Sequence, residues 1–396
     1  MATSSGNRAP RLSAALRQDE RVTPLELFFD LVFVLAITQC TALMYHHPTW
    51  EGLGQGLLVL ALLWWSWGAY AWLTSVLDPE DDAVRISMFV AMAGLLLASI
   101  CIPEAFGDLA VEFAVAYGIV RAAHIALFVL ASRDDPGLRH SVGTLMVSTT
   151  IGVGLLLAGA LAGGTGQAII WVIALVLDVG GPFFFGAAGW KLVPHHFAER
   201  HGLIIIIALG ESIVAIGAGA HGLDLGKATA AVLGVTLAAA MWWTYFDVVA
   251  IVAGRRLAEA EPGRVQNEMA RDSYSYLHFL MVAGIVLAAL GLKTTLADVG
   301  DPLGTVPTFA LLGGVALYLL GHVAFRFRHV HTINRQRLVL AILLVAAVPL
   351  ADGVAPLVIL AIVDVLLAAM IAYETRIYGE GRQQLRHEVA PAPAGD

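Results

Sequence analysis

The chain has 396 residues, of which 58% are hydrophobic and 14% charged, with a mean hydropathy of +0.77 and a formal net charge of −8 at pH 7. A soluble domain of this size lacks the polar surface to cover so much apolar side chain, so a soluble globular protein is excluded and the lipid bilayer is the expected partner. The acidic balance, with no basic patch on a soluble domain, argues that no nucleic acid is bound.

Residues 1–22 form a polar tail carrying Arg8, Arg11 and Arg17. The apolar run after it has no small-residue cleavage site, which marks a retained helix rather than a signal peptide. Twelve runs of bilayer-spanning length follow, at 25–44, 54–76, 84–102, 109–131, 140–161, 167–188, 201–220, 228–251, 273–296, 306–325, 336–351 and 354–374. The polar segment 191–201 joins the sixth run to the seventh, 252–272 is the largest internal loop, and 377–396 is a second polar tail. The expected fold is therefore an all-α, polytopic integral membrane protein of about 12 transmembrane helices. With the N-terminus inside, all of the 23 lysines and arginines except Arg121, Lys227 and Lys293 fall in cytoplasmic segments, so both termini are expected in the cytoplasm. Cys40 and Cys101 lie near the outer ends of their helices and read as core thiols, with a disulfide between them left open.

Spans one to six and seven to twelve carry matching features in the same order. Asp30 in FFDLVFVLAI matches Glu211 in LGESIVAIGA, and Trp64-Trp65-Ser66 matches Trp242-Trp243-Thr244. MFVAMAGLLLA matches HFLMVAGIVLA, pairing Phe89 with Phe279 and Gly94 with Gly284. RAAHIA matches LLGHVA, pairing His124 with His322, and Asp178 matches Asp364. Six helices per repeat give both halves one orientation, so two parallel repeats, 23–190 and 191–376, are expected.

Acids inside hydrocarbon cost several kcal/mol, so they face a bundle interior or a pathway. Asp30 lies about two turns inside the membrane, while Asp178, Glu211 and Asp364 lie near its middle. Such a set is either a cation or proton site or a group of locks between helices. Arg121, the basic residue at a helix centre, requires an acidic partner, and Asp30 and Asp178 in the same half are the expected ones. Leu319 stands at the equivalent place in the second half. On this pattern Arg121 fixes the first half, and Glu211 and Asp364 exchange protons; Ser212, His124 and His322 are further candidates.

His195 and Glu199 stand at i,i+4 spacing, but they are too few for a metal site, and their segment reads as a cap where the seventh helix enters the membrane. Gly180-Gly181-Pro182 and Pro349 are expected points of helix breakage. GGTG at 163–166 lacks the lysine of a phosphate loop, LGESI lacks the G-x-S-x-G elbow, and neither CxxC nor HExxH occurs. No enzyme activity, cofactor or metal is expected.

TPLELFFDLVFVLAIT at the first span and HFAERHGLIIIIALGES at the seventh resemble the two signature stretches of the bacterial low temperature requirement protein A (LtrA) family. The similarity runs from about residue 21 to about residue 378, and Glu26, Asp30, Glu199, Arg200, Glu211 and Ser212 are the matching positions. It implies a multi-pass protein of the bacterial inner membrane, associated by name with growth in the cold, and supplies no substrate. Phe29-Asp30 in a six-helix repeat also looks like potassium channels with an F-S-D signature, but Phe29 stands in place of the Ser and the second half has Gly210-Glu211. The expected function is transport of an unknown small solute or ion through a central acidic site, with proton coupling. A potassium-like channel and a non-transporting protein that senses or organises lipids are the alternatives, and a homo-oligomer is compatible with each.

Overall fold

The computed structural model describes residues 21–184, 189–219, 222, 224–351 and 353–389, and among these it is helical with no strand. The helices are α1 (Pro24–His46), α2 (Trp50–Thr74), α3 (Asp82–Cys101), α4 (Ala110–Ala131), α5 (Pro136–Ala162), α6 (Gly164–Phe184), α7 (Pro194–Gly219), α8 (Leu225–Phe246), α9 (Val249–Glu259), α10 (Arg264–Ala270), α11 (His278–Ala297), α12 (Thr305–Val330), α13 (Arg335–Ala347) and α14 (Pro356–Val389). Local signals set the starts. Thr23 caps α1 in a reciprocal capping box with Glu26, and Pro24 occupies the first turn, where its missing N–H costs nothing. Thr49, Asp81, Asp135, Asp224 and Asn334 accept first-turn amides of α2, α3, α5, α8 and α13. Asp135 also binds Lys191 Nζ at 2.7 Å across the ends of α5 and α6, and that bond holds its carboxyl below the usual range.

Among the described residues eleven segments are long and apolar enough to cross a bilayer, among them the joined runs Leu225–Glu259 and Arg264–Ala297. The expected span at 336–351, the eleventh, differs. α13 has 13 residues and ends in a 3-10 turn, Val348–Leu350, that contains Pro349. Thirteen helical residues reach about 20 Å, short of the ~30 Å hydrocarbon core. Pro349 thus ends a helix as expected, whereas Pro182 lies inside α6 near its end. The expected loop at 252–272 is instead mostly helical, α9 and α10 joined by a turn at 260–263, and it passes into α11 through a seven-residue π segment, Arg271–Leu277.

Within the first half α1 packs on α2 and α3, α3 on α4, α4 on α5, and α2 on α6. Within the second, α7 packs on α8 and α11, α11 on α12, α12 on α13, and α8 on α14. The outer pairs break this correspondence: α5 and α6 pack along their length, while α13 and α14 barely touch. The closest packing is α11 against α12, where glycines let the backbones approach. A Cβ on Gly284 would lie 2.6 Å from the Gly314 carbonyl oxygen, and one on Gly314 2.5 Å from the Ala288 nitrogen. The two halves meet where α1 and α2 pack on α7 and α11. Cys40 and Cys101 are buried free thiols.

Candidate functional site

The polar residues of the interior gather first where α1 meets α7. Glu26 and Asp30 stand one turn apart on α1, and His196 and Arg200 one turn apart on α7, so each helix turns both of its groups to the other. All four are completely buried, at 0% exposure. Arg200 Nη1 donates to Glu26 Oε1 at 3.1 Å and to Thr74 Oγ1 at 3.1 Å, and its Nη2 donates to Asp30 Oδ1 at 2.6 Å. His196 Nε2 donates to Glu26 Oε1 at 2.9 Å, which leaves Nδ1 facing the Ser75 hydroxyl at 3.3 Å. Thr23 holds Glu26 Oε2 through its amide and hydroxyl, and Trp67 Nε1 donates to Asp30 Oδ1 at 2.8 Å. The network is not saturated: Asp30 Oδ2 and Arg200 Nε are buried without a hydrogen-bond partner among the described residues.

A second station lies further along the same seam. Thr38 Oγ1 of α1 donates to Glu211 Oε2 of α7 at 2.6 Å, and Glu211 and Ser212 are both buried. Because Arg200 meets Asp30 and Glu211 meets Thr38, α1 and α7 run in the same direction. Eight residues of α1 separate the two contacts, about 12 Å of helix rise. Beyond His201, which is buried next to Arg200, the buried positions between them carry no polar side chain: Phe33, Ala36 and Ile37 on α1, and Gly202, Ile204, Ile205, Ala208 and Leu209 on α7.

Arg121 takes Asp178, one of its two expected partners, at 2.9 Å, and Thr149 bonds both: Arg121 Nη2 donates to Thr149 Oγ1 at 2.7 Å, and Thr149 Oγ1 to Asp178 Oδ1 at 3.1 Å. His124 Nε2 donates to the Ala69 carbonyl at 3.0 Å. Arg121 and His124 border a cavity of ≈ 70 Å³ walled by Trp64, Trp65, Trp72 and Trp190. Neither Glu211 nor Asp364 lines it.

The second half keeps the remaining candidates apart. Asp364 is buried with both carboxyl oxygens unpartnered, and His322 with both ring nitrogens unpartnered, among the described residues. No hydrogen bond or ion pair among the described residues joins Glu211 to Asp364. His322 lies edge-on to Tyr318, at 4.5 Å between centroids. Beside it Tyr245 Oη donates to His278 Nε2 at 2.8 Å, and His278 lies 5.3 Å from the His201 ring, which in turn lies 5.0 Å from that of Trp67.

Two expectations need correction. Arg121 is not the sole buried cation, because Arg200 lies in α7 and forms ion pairs with both first-half acids, Glu26 and Asp30. Arg337 is a third, bidentate to Glu374, with Asn334 donating to the same carboxylate. The segment HHFAERH is likewise not a surface cap: His195 and Glu199 are exposed, but His196, Arg200 and His201 face the core. Among the described residues no group of three His, Cys, Asp or Glu could hold a metal. The signal for the missed contact was present as two i,i+4 pairs, Glu26 with Asp30 and His196 with Arg200.

The family model for the bacterial low temperature requirement A protein (LtrA) matches residues 21–372, a range that includes both stations of the seam. An uncharacterized protein of Rhizobium meliloti (strain 1021) is 30% identical over 366 residues, covering 88% of this chain and 88% of its own. No solved structure matches the chain.

Proposed function

This chain belongs to the bacterial low temperature requirement A family, and from that premise we propose that it is a membrane transport protein moving a small solute or ion along the seam between α1 and α7. One observation carries the reading: two buried carboxyl stations, Asp30 with Glu26 and Glu211 with Thr38, lie on one seam between the halves, parted beyond His201 by apolar side chains. A lock between helices would use every polar atom it buries, since unpaired ones are costly. Here Asp30 keeps a free oxygen, and Glu211 is held by the Thr38 hydroxyl with the Lys293 charge acting on it but no ion pair among the described residues. Both can load and release a proton as the halves shift, and the apolar stretch between them closes the path in this conformation. Such closure suits an alternating mechanism better than an open pore. Asp364 is a further proton-carrying group outside the seam.

The reading extends to two parallel six-helix repeats, supported by the recurring order of helix neighbours, and to an inner-membrane protein with both termini in the cytoplasm, supported by the segregation of basic residues. No catalytic activity is part of it. The test is proton flux through the full-length protein in liposomes, read with an entrapped pH dye under an imposed K⁺ gradient. Asp30→Asn and Glu211→Gln should each slow the flux at least about tenfold, while Glu199→Gln, on the exposed side of α7, should leave it unchanged. Wild-type flux in the Glu211→Gln protein would overturn the assignment.

A further inference from the structure

The gap between α13 and α14 has no counterpart in the first half, where α5 and α6 close on each other. It forms a groove of ≈ 370 Å³, far larger than a water's share of ~30 Å³. Its walls are apolar: Val339, Leu340 and Leu343 from α13, and Leu366, Met370 and Tyr373 from α14. Val339, Leu343 and Tyr373 are exposed, so the groove faces the surroundings of the bundle and not its core. One end is basic. Arg335 opens α13, and Arg376 lies on α14 two residues past Glu374, which is bound to Asn334 and Arg337 at the start of α13. That contact fixes Arg376 at the same end of the groove as Arg335. Both arginines are exposed, and neither has an ion pair among the described residues. The nearby carboxylate is no competitor, because Glu374 is buried and already bidentate to Arg337.

We propose that this groove is a binding site for one anionic phospholipid, its phosphate between Arg335 and Arg376 and one acyl chain along Leu340, Leu343, Leu366 and Met370. The dimensions agree. Pro356–Ile377 of α14 is long and apolar enough to cross a bilayer, and a helix that enters the hydrocarbon near Pro356 brings Arg376 to the opposite headgroup level after about 30 Å of rise. From Arg335 to Leu343 the groove runs about 12 Å inward, within the ~15 Å that one leaflet contributes to the hydrocarbon core. In a bilayer such a groove is filled by lipid, and the two guanidiniums select for anionic headgroups. The bound lipid completes packing that α13 and α14 do not make with each other. This inference does not depend on transport, and its test reads no flux.

The full-length protein is purified in mild detergent from membranes supplemented with phosphatidylcholine alone or with phosphatidylglycerol, and retained lipid is counted by native mass spectrometry. One phosphatidylglycerol per chain should survive detergent that strips phosphatidylcholine, and it should raise the thermal midpoint. The double variant Arg335→Gln/Arg376→Gln touches only exposed side chains. It should lose phosphatidylglycerol retention by about tenfold or more, together with the added midpoint, and melt like wild type in phosphatidylcholine. Leu343→Trp, which fills the groove, should displace the lipid without removing charge. Equal retention of the two lipids, retention in the double variant, or retention in Leu343→Trp would each overturn the site.

Discussion

Replacing Arg200 with Gln takes away the guanidinium that Glu26 and Asp30 share. The cluster then gains one net negative charge, with Glu26 and Asp30 both at 0% exposure. Glu26 keeps His196, Thr23 and its position at the helix N-terminus, but Asp30 keeps only the Trp67 indole N–H. Breaking a buried pair in this way costs about 3–5 kcal/mol, most of it from the uncompensated carboxylate. Adding Asp30→Asn restores the original net charge while leaving an amide that Trp67 can still serve. The two substitutions should therefore be strongly non-additive, with the double variant regaining about 2 kcal/mol of what Arg200→Gln loses. Unfolding of the detergent-solubilised protein, followed for wild type, both single variants and the double, completes the cycle. Additivity within about 0.5 kcal/mol would show that Asp30 and Arg200 are not energetically coupled, and the cluster as described would be wrong.

Four further outcomes follow from particular contacts. Gly314→Ala should cost about 1–3 kcal/mol in an unfolding assay, because its Cβ has backbone atoms of α11 on its path and no flexible side chain to displace. Gly68→Ala should be neutral or stabilising by up to about 1 kcal/mol, since nothing lies within 4 Å of the added carbon and a helical glycine is replaced. Arg337→Gln should destabilise by about 3–5 kcal/mol, and adding Glu374→Gln should recover much of it in the same assay. For Asp135, whose carboxyl is held low by Lys191, the sign is that of a depressed acid. Its contribution is present above the ordinary carboxylate value and is lost as pH falls through the lowered one. A thermal-midpoint series should show wild type above Asp135→Asn near neutral pH, and the gap should close in strong acid.

Much of this bundle was legible from the apolar runs, because a helix in lipid must satisfy its own backbone and so declares its length. α13 was not, since its run is apolar enough to span but Pro349 ends it early. The Arg121–Asp178 pair was legible because an arginine between Val120 and Ala122 on an apolar helix demands an acid. Arg200 escaped for the opposite reason. It sits among His195, His196, Glu199 and His201, where polarity reads as a helix entering from water, and only the spacing of His196 and Arg200 separates the buried face from the exposed one. The separation of Glu211 from Asp364 lies beyond any one-dimensional pattern, for it depends on how the helices of the second half pack, α14 lying against α8.

The π segment between α10 and α11 acts as a phase shifter. A run with i→i+5 bonding holds more residues per turn than the α-helix on either side, so Arg271–Leu277 offsets the faces of α11 from those of α10. One residue is worth roughly 100° of rotation. On the upstream side of that offset Arg271 donates to the Pro182 carbonyl, and downstream Gly284 and Gly291 must point at α12. Deleting a single residue between 271 and 277 would bring the run back to α-helical pitch, and no rotation of the whole helix could satisfy both ends. The chain therefore has its length fixed to the residue at this place, while the turns between its other helices leave length open.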